Sequence, residues 1–191
     1  MCRAGLSRVR HVRATSTHKW FRVSGEAPVG VYLLKTLLQT VVFWTLLLFV
    51  VPGSLTKVEA SLWGISPPGI WRQGLAVFIF AAGGSLGLWS GWTMAVKGCG
   101  TPLPLDTAAR LVLAGPYRYV RNPMAVGGLA QGFAVSLWLG SWLTAGYVLS
   151  GLLFWQVLVR PIEERELADR FREAYEAYRK AVRCWWPRIL G

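Results

Sequence analysis

Residues 115–125 read Gly-Pro-Tyr-Arg-Tyr-Val-Arg-Asn-Pro-Met-Ala, and one long apolar stretch later the chain carries Glu163-Glu164. Charged and hydrogen-bonding groups are costly to keep beside a bilayer, so a cluster of them among apolar segments marks a site. Asn122-Pro123 is a helix-start signal. The Asn side chain accepts from free backbone N–H groups, and Pro tolerates the first helical position because its missing donor is not needed there. A helix starting at Pro123 directs free N–H groups and a partial positive charge towards its surroundings, and with Arg118 and Arg121 close by it suits a carboxylate or phosphate. Helix capping plus basic residues at a membrane edge would explain the same residues without a ligand.

The two carboxylates weigh against that plainer reading. After Pro161 a helix is expected over residues 161–182, and Glu163, Leu167, Phe171, Tyr175 and Tyr178 recur at helical spacing along it. Glu163 therefore falls on the inward, aromatic stripe, whereas Glu166 and Arg170 form an ordinary exposed pair one turn apart. A carboxylate on an apolar face needs a partner. The candidates are Arg118, Arg121, or the hydroxyls or ammonium of a bound ligand; pairing with an arginine alone would make the site structural.

Other chemistries lack their residues. Both histidines, His11 and His18, lie in the basic arm at the start of the chain, and Cys2, Cys99 and Cys184 are expected to be unpaired and distant. There is no phosphate-binding glycine loop, no zinc-ligand spacing and no Ser-His-Asp set, so neither hydrolytic nor metal chemistry is expected.

The elements that must position these residues belong to a membrane protein. The chain has 191 residues, 53% of them hydrophobic and only 16% charged, with eleven tryptophans. Apolar runs at residues 29–51 and 75–96 can each cross a hydrocarbon core of about 30 Å. The uncharged run from 124 to 159 is too long for one crossing and divides into spans at 124–139 and 142–159, turning at Leu139-Gly140-Ser141. The expected fold is all-α and integral to the membrane: four spans, the last two a tight hairpin, and a cytoplasmic C-terminal helix. Residues 1–28 form a basic arm and residues 29–191 a single membrane domain.

Basic residues set the orientation, because short cytoplasmic loops are rich in Lys and Arg. They concentrate in the arm, in residues 97–121 and in the tail from Arg160, while the loop after Pro52 has only Lys57 and the hairpin turn has none. Both termini and the polar patch are thus expected on the cytoplasmic side. The net charge of +12 flanks hydrophobic spans and accompanies no nucleic-acid motif, so anionic membrane lipid is its expected counterpart. Gly83, Gly87 and Gly91 strip one helix face for close packing, within the monomer or across a dimer. Trp185-Trp186 reads as an interfacial anchor.

The ordered combination resembles a known superfamily. Gly98-x-Gly100-Thr-Pro, then Leu111-Val112-x-x-Gly-Pro-Tyr-Arg-Tyr-Val-Arg-Asn-Pro-Met, then Glu163-Glu164-x-x-Leu167 and Phe171-x-x-x-Tyr175-x-x-Tyr178 is similar to the isoprenylcysteine carboxyl methyltransferase and phospholipid methyltransferase superfamily. These are small membrane enzymes that bind S-adenosylmethionine on the cytoplasmic side and methylate lipid-like acceptors. The resemblance covers roughly residues 70 to 188. It implies Gly98, Gly100, Leu111, Val112, Tyr117, Arg121, Asn122, Pro123, Met124 and Glu163 as cofactor contacts, with Glu164 in support. Asn122 stands where the isoprenylcysteine branch has His and the phospholipid branch has Asn, and Ala125 replaces a usual Tyr.

Methyl transfer from a sulfonium is an in-line displacement that needs neither metal nor covalent intermediate, so positioning groups suffice. Arg160, at the end of the fourth span, is expected to steer the polar end of the acceptor, unless it is only a basic anchor. The acceptor class is a membrane-embedded or lipid-like carboxylate, amine or thiol. Two readings from other classes share part of the pattern: an NADPH-dependent membrane reductase of related fold, and a non-catalytic membrane scaffold.

Overall fold

The structure is a computed structural model, and it describes residues 28–66, 68–99 and 110–187. Among them there is no strand; helices α1 (Val29–Thr45), α2 (Val51–Leu62), α3 (Ile70–Thr93), α4 (Pro123–Leu139), α5 (Trp142–Phe154) and α6 (Arg160–Ala181) account for most of the chain. The first 27 residues of the basic arm, and Gly100, lie outside the described residues.

The helices are longer than the hydrophobic runs suggested. Pro52 was expected to open a loop, yet the chain stays helical from Gly30 to Leu62. A five-residue π segment, Leu46–Val50, joins α1 to α2 and places Pro52 in the first turn of α2, where a missing N–H costs little. Likewise α3 starts at Ile70 and continues through a second π segment to Gly98. A third π segment, Trp155–Val159, carries α5 directly into α6, with Pro161 again in a first turn.

Three helical stretches are long and apolar enough to cross a membrane: Gly30–Leu62, Ile70–Gly98 and Trp142–Ala181; Pro123–Leu139 is a shorter apolar helix. The 40 residues from Trp142 would reach about 60 Å, twice the hydrocarbon thickness. Their charges all begin at Arg160, so residues 142–159 are the uncharged part of this stretch and α6 the charged part. Leu34, Leu38, Val42, Phe49, Phe78, Leu88, Leu153 and Val157 are exposed, a surface suited to lipid rather than water.

Gly140, at φ 67°, ends α4 in the left-handed conformation glycine favours, and the Ser141 hydroxyl caps α5 by accepting from the Thr144 N–H at 3.0 Å. A second cap comes from far away in sequence. The buried Glu59 carboxylate on α2 accepts from the Ser141 hydroxyl and from the Trp142 and Leu143 N–H groups, each of the latter at 3.0 Å. It satisfies donors that lipid cannot. Glu59→Leu is therefore expected to lower the melting temperature of the detergent-solubilised protein, and Glu59→Gln, which keeps one acceptor, to lower it less.

One expectation about the cysteines fails. Cys99 is disulfide-bonded, while Cys184 is a buried free thiol.

Candidate functional site

The site forms where the start of α4 meets α6. Asn122 caps α4, its Oδ1 accepting from the Ala125 N–H at 3.2 Å, and Pro123 follows, fully buried, at the first helical position. Because capping occupies Oδ1, the amide nitrogen points away from the helix, and it donates to Glu163 Oε2 at 3.2 Å. One side chain thus fixes both the beginning of α4 and the carboxylate on the neighbouring helix.

The two glutamates are treated unequally. Glu164 lies 3.1 Å from Arg121 Nη1 and 2.9 Å from Arg160 Nε, a carboxylate held between two guanidiniums. Glu163 has the Asn122 amide and, among the described residues, no ion pair. Burial, with added repulsion from Glu166 and Glu164, pushes its carboxyl up to about 7. The Arg121 contact to Glu164 is close but poorly aligned, so Arg121 Nε and Nη1 remain buried without a hydrogen bond. A hydrogen-bonded pairing with Glu164 raises the Arg160 guanidinium further, and Arg160 therefore stays charged.

Around these groups is a pocket of about 40 Å³ lined by Arg121, Asn122, Trp155, Arg160, Glu163, Glu164, Leu167, Tyr175, Tyr178 and Cys184. Burial raises the Tyr175, Tyr178 and Cys184 protons above their ordinary values, so these groups are neutral. The Tyr178 hydroxyl donates to the Tyr117 carbonyl at 2.7 Å, tying α6 to the segment before Asn122. Tyr117 itself is buried.

Of the residues anticipated from sequence, Arg121, Asn122, Arg160, Glu163 and Glu164 converge on this pocket. Pro123 and Met124 follow as the first residues of α4, and Tyr117 is joined to the site through Tyr178. Gly98, Leu111 and Val112 sit to one side and do not line the pocket; the Gly98 carbonyl accepts from the Arg110 N–H at 3.3 Å. Arg118, a candidate partner for Glu163, is exposed.

Sequence reasoning missed Trp155 and Cys184. Trp155 reaches the pocket from the π segment that precedes α6, and Cys184 from the chain after α6, which folds back so that the Arg183 carbonyl accepts from the Arg121 N–H at 3.0 Å. The aromatic stripe had pointed to Tyr175 and Tyr178. The periodicity is carried across a kink at Arg172, whose φ of 43° and ψ of −119° interrupt α6.

The arrangement suits a ligand bearing both charges. It has a carboxylate without an ion pair among the described residues, a guanidinium with unused hydrogen-bonding capacity, and aromatic walls. Among the described residues no group of His, Cys, Asp and Glu side chains is arranged to hold a metal ion.

Methanethiol S-methyltransferase from Pseudomonas sp. (strain GM41(2012)) is 24% identical over 149 residues, covering 69% of this chain and 52% of that protein. The chain thus spans about half the length of the curated relative it matches. No solved structure matches. The family model described as phospholipid methyltransferase matches residues 71–174, more than half of the chain. That stretch runs from α3 into α6 and holds Arg121, Asn122, Glu163 and Glu164 on one continuous match, so the chain belongs to the phospholipid methyltransferase family.

Proposed function

We propose that this chain is a membrane methyltransferase that binds S-adenosylmethionine in the pocket between α4 and α6 and methylates a lipid-like or small apolar acceptor. The observation that carries the reading is the unequal treatment of the two glutamates. With Glu164 taken by two arginines, Glu163 is left for a cation and the buried Arg121 Nε, which has no hydrogen-bond partner, for an anion. An α-amino acid end offers both, its ammonium to Glu163 and its carboxylate to Arg121, and the residues present fit that part of the cofactor.

When bound, the cofactor supplies an electrophilic methyl group on a sulfonium. The chain contributes orientation. Asn122 locks Glu163 in place, Glu164 and Arg160 brace Arg121, and Trp155, Leu167 and Tyr178 restrict water around them. Positioning of this kind can supply much of the rate enhancement of a displacement reaction. Arg160 is engaged by Glu164, so its proposed role towards the acceptor rests on the guanidinium edge that this bond leaves unused.

We assign residues 29–191 to one membrane domain after a basic arm at 1–28, with both termini cytoplasmic by the distribution of basic residues. The relative's name favours a thiol among the three acceptor classes. The family match weighs against the nicotinamide-dependent reductase. Calorimetry on detergent-purified protein tests the proposal: S-adenosylhomocysteine should bind and NADPH should not. Methyl transfer to a short alkyl thiol should exceed transfer to a carboxylate or an amine. Binding of NADPH alone would favour the reductase, and binding of neither ligand by folded protein would favour the scaffold.

A further inference from the structure

The pocket is bordered on one side by the chain that follows α6. After α6 the chain leaves the helix at Val182, with φ −119° and ψ 128°, and returns across the site. Four contacts hold it there. The Arg183 carbonyl accepts from the Arg121 N–H at 3.0 Å, the Cys184 side chain is buried against the pocket, and the Trp185 indole N–H donates to Gln156 Oε1 at 3.0 Å. The Trp185 ring also meets Trp155 edge to face, with centroids 5.0 Å apart. Trp186 and Pro187, immediately beyond, are exposed.

The pocket in this form is too small for the ligand proposed above. About 40 Å³ admits the amino acid end of such a molecule, whereas sites that enclose drug-sized ligands measure roughly 300–1,000 Å³. The other pocket walls come mainly from α6, with Arg121 and Asn122 just before α4 and Trp155 just after α5. The segment over residues 182–187 is held by two hydrogen bonds and one ring contact, from Arg183 and Trp185, and segments so lightly held open at low free-energy cost.

We propose that residues 182–187 form a strap that gates the pocket, with the Trp185 contacts to Trp155 and Gln156 as its latch; the proposal rests on the cofactor reading of the site. Cys184 lies under the strap and reports its opening. The free thiol is buried when the strap is down and reacts only when it lifts.

The experiment follows alkylation of Cys184 by N-ethylmaleimide in the full-length protein, read peptide by peptide by mass spectrometry, beside the association rate of S-adenosylhomocysteine. Trp185→Ala removes both latch contacts and is expected to raise both rates about thirtyfold. Gln156→Leu removes only the hydrogen bond and is expected to raise both about fivefold. Trp185→Phe, which keeps a ring, should stay near the hydrogen-bond variant, and helicity by circular dichroism guards against a fold defect. Unchanged Cys184 alkylation in every variant overturns the strap. Faster alkylation with unchanged association overturns its role as a gate. Failure of the wild-type protein to bind S-adenosylhomocysteine at equilibrium overturns the cofactor reading instead, and the gate with it.

Discussion

Glu163→Gln is expected to weaken binding of S-adenosylhomocysteine about thirtyfold at pH 8 and only about fourfold at pH 6. The size is that of a hydrogen bond to a charged group exchanged for one to a neutral group of the same shape. The pH dependence follows from the carboxyl lying at about 7. Below that value wild-type Glu163 is already protonated and resembles glutamine; above it the ionised carboxylate attracts the ligand's ammonium. Wild-type affinity should thus rise with pH through about 7 and then level off, while the variant gives a flat profile over the same range.

Stability without ligand should move the opposite way. A carboxyl raised from 4.5 to about 7 by burial binds its proton more tightly in the folded state, so its favourable contribution is present below pH 4.5 and is lost as pH rises to 7. Glu163→Gln removes that dependence. Isothermal titration and thermal unfolding at pH 6 and pH 8 read both trends. Loss of binding by the same factor at both pH values would make Glu163 a packing residue and remove the charge argument for the cofactor.

How much of this was legible in the sequence depends on how local each signal is. Asn122-Pro123 states its own role in two adjacent residues, and the structure places the cap where it was expected. Glu163 was found by helical spacing, since an acidic residue on an aromatic stripe stands out whatever it packs against. The pairing of Arg121 with Glu164 could not be read, because it joins residues 43 positions apart where α6 meets the segment before α4. Nor could the return of Trp185 to Gln156, which depends on the chain turning at Val182.

Pro52 misled for a physical reason. Local rules treat proline after an apolar run as a stop, but a π segment just before it restores helical register and the helix runs another eleven residues beyond Val51. The loop assignment hid Glu59. Once the chain there is helical, the side chain reaches the start of α5 and becomes a cap. The three π segments share this property: each lies at a junction where one helix hands over to another or ends, so hydropathy reads the junction as a boundary.

Gly127→Val is expected to have the largest effect on stability. α3 and α4 touch backbone to backbone: a Cβ built on Gly127 would stand 2.6 Å from the Gly83 carbonyl oxygen, and one on Gly83 would stand 2.7 Å from the Gly127 carbonyl oxygen. Neither obstacle is a side chain that can rotate away, so the helices must separate. Gly127→Ala should cost about 1–3 kcal/mol after any gain in helix propensity, and the branched Val more than that. Gly146→Ala is the control, since nothing lies within 4 Å of its would-be Cβ, and it should be neutral or slightly stabilising. Gly83→Ala and Gly127→Ala force the same separation, so the double variant should lose less than the two single losses together. The displacement also travels along α4 to Asn122, five residues from Gly127, and would draw the cap away from Glu163. Weakened S-adenosylhomocysteine binding should therefore accompany the lower melting temperature of Gly127→Val, whereas full affinity in a destabilised protein would show that the site is held by α6 and the strap without help from α3.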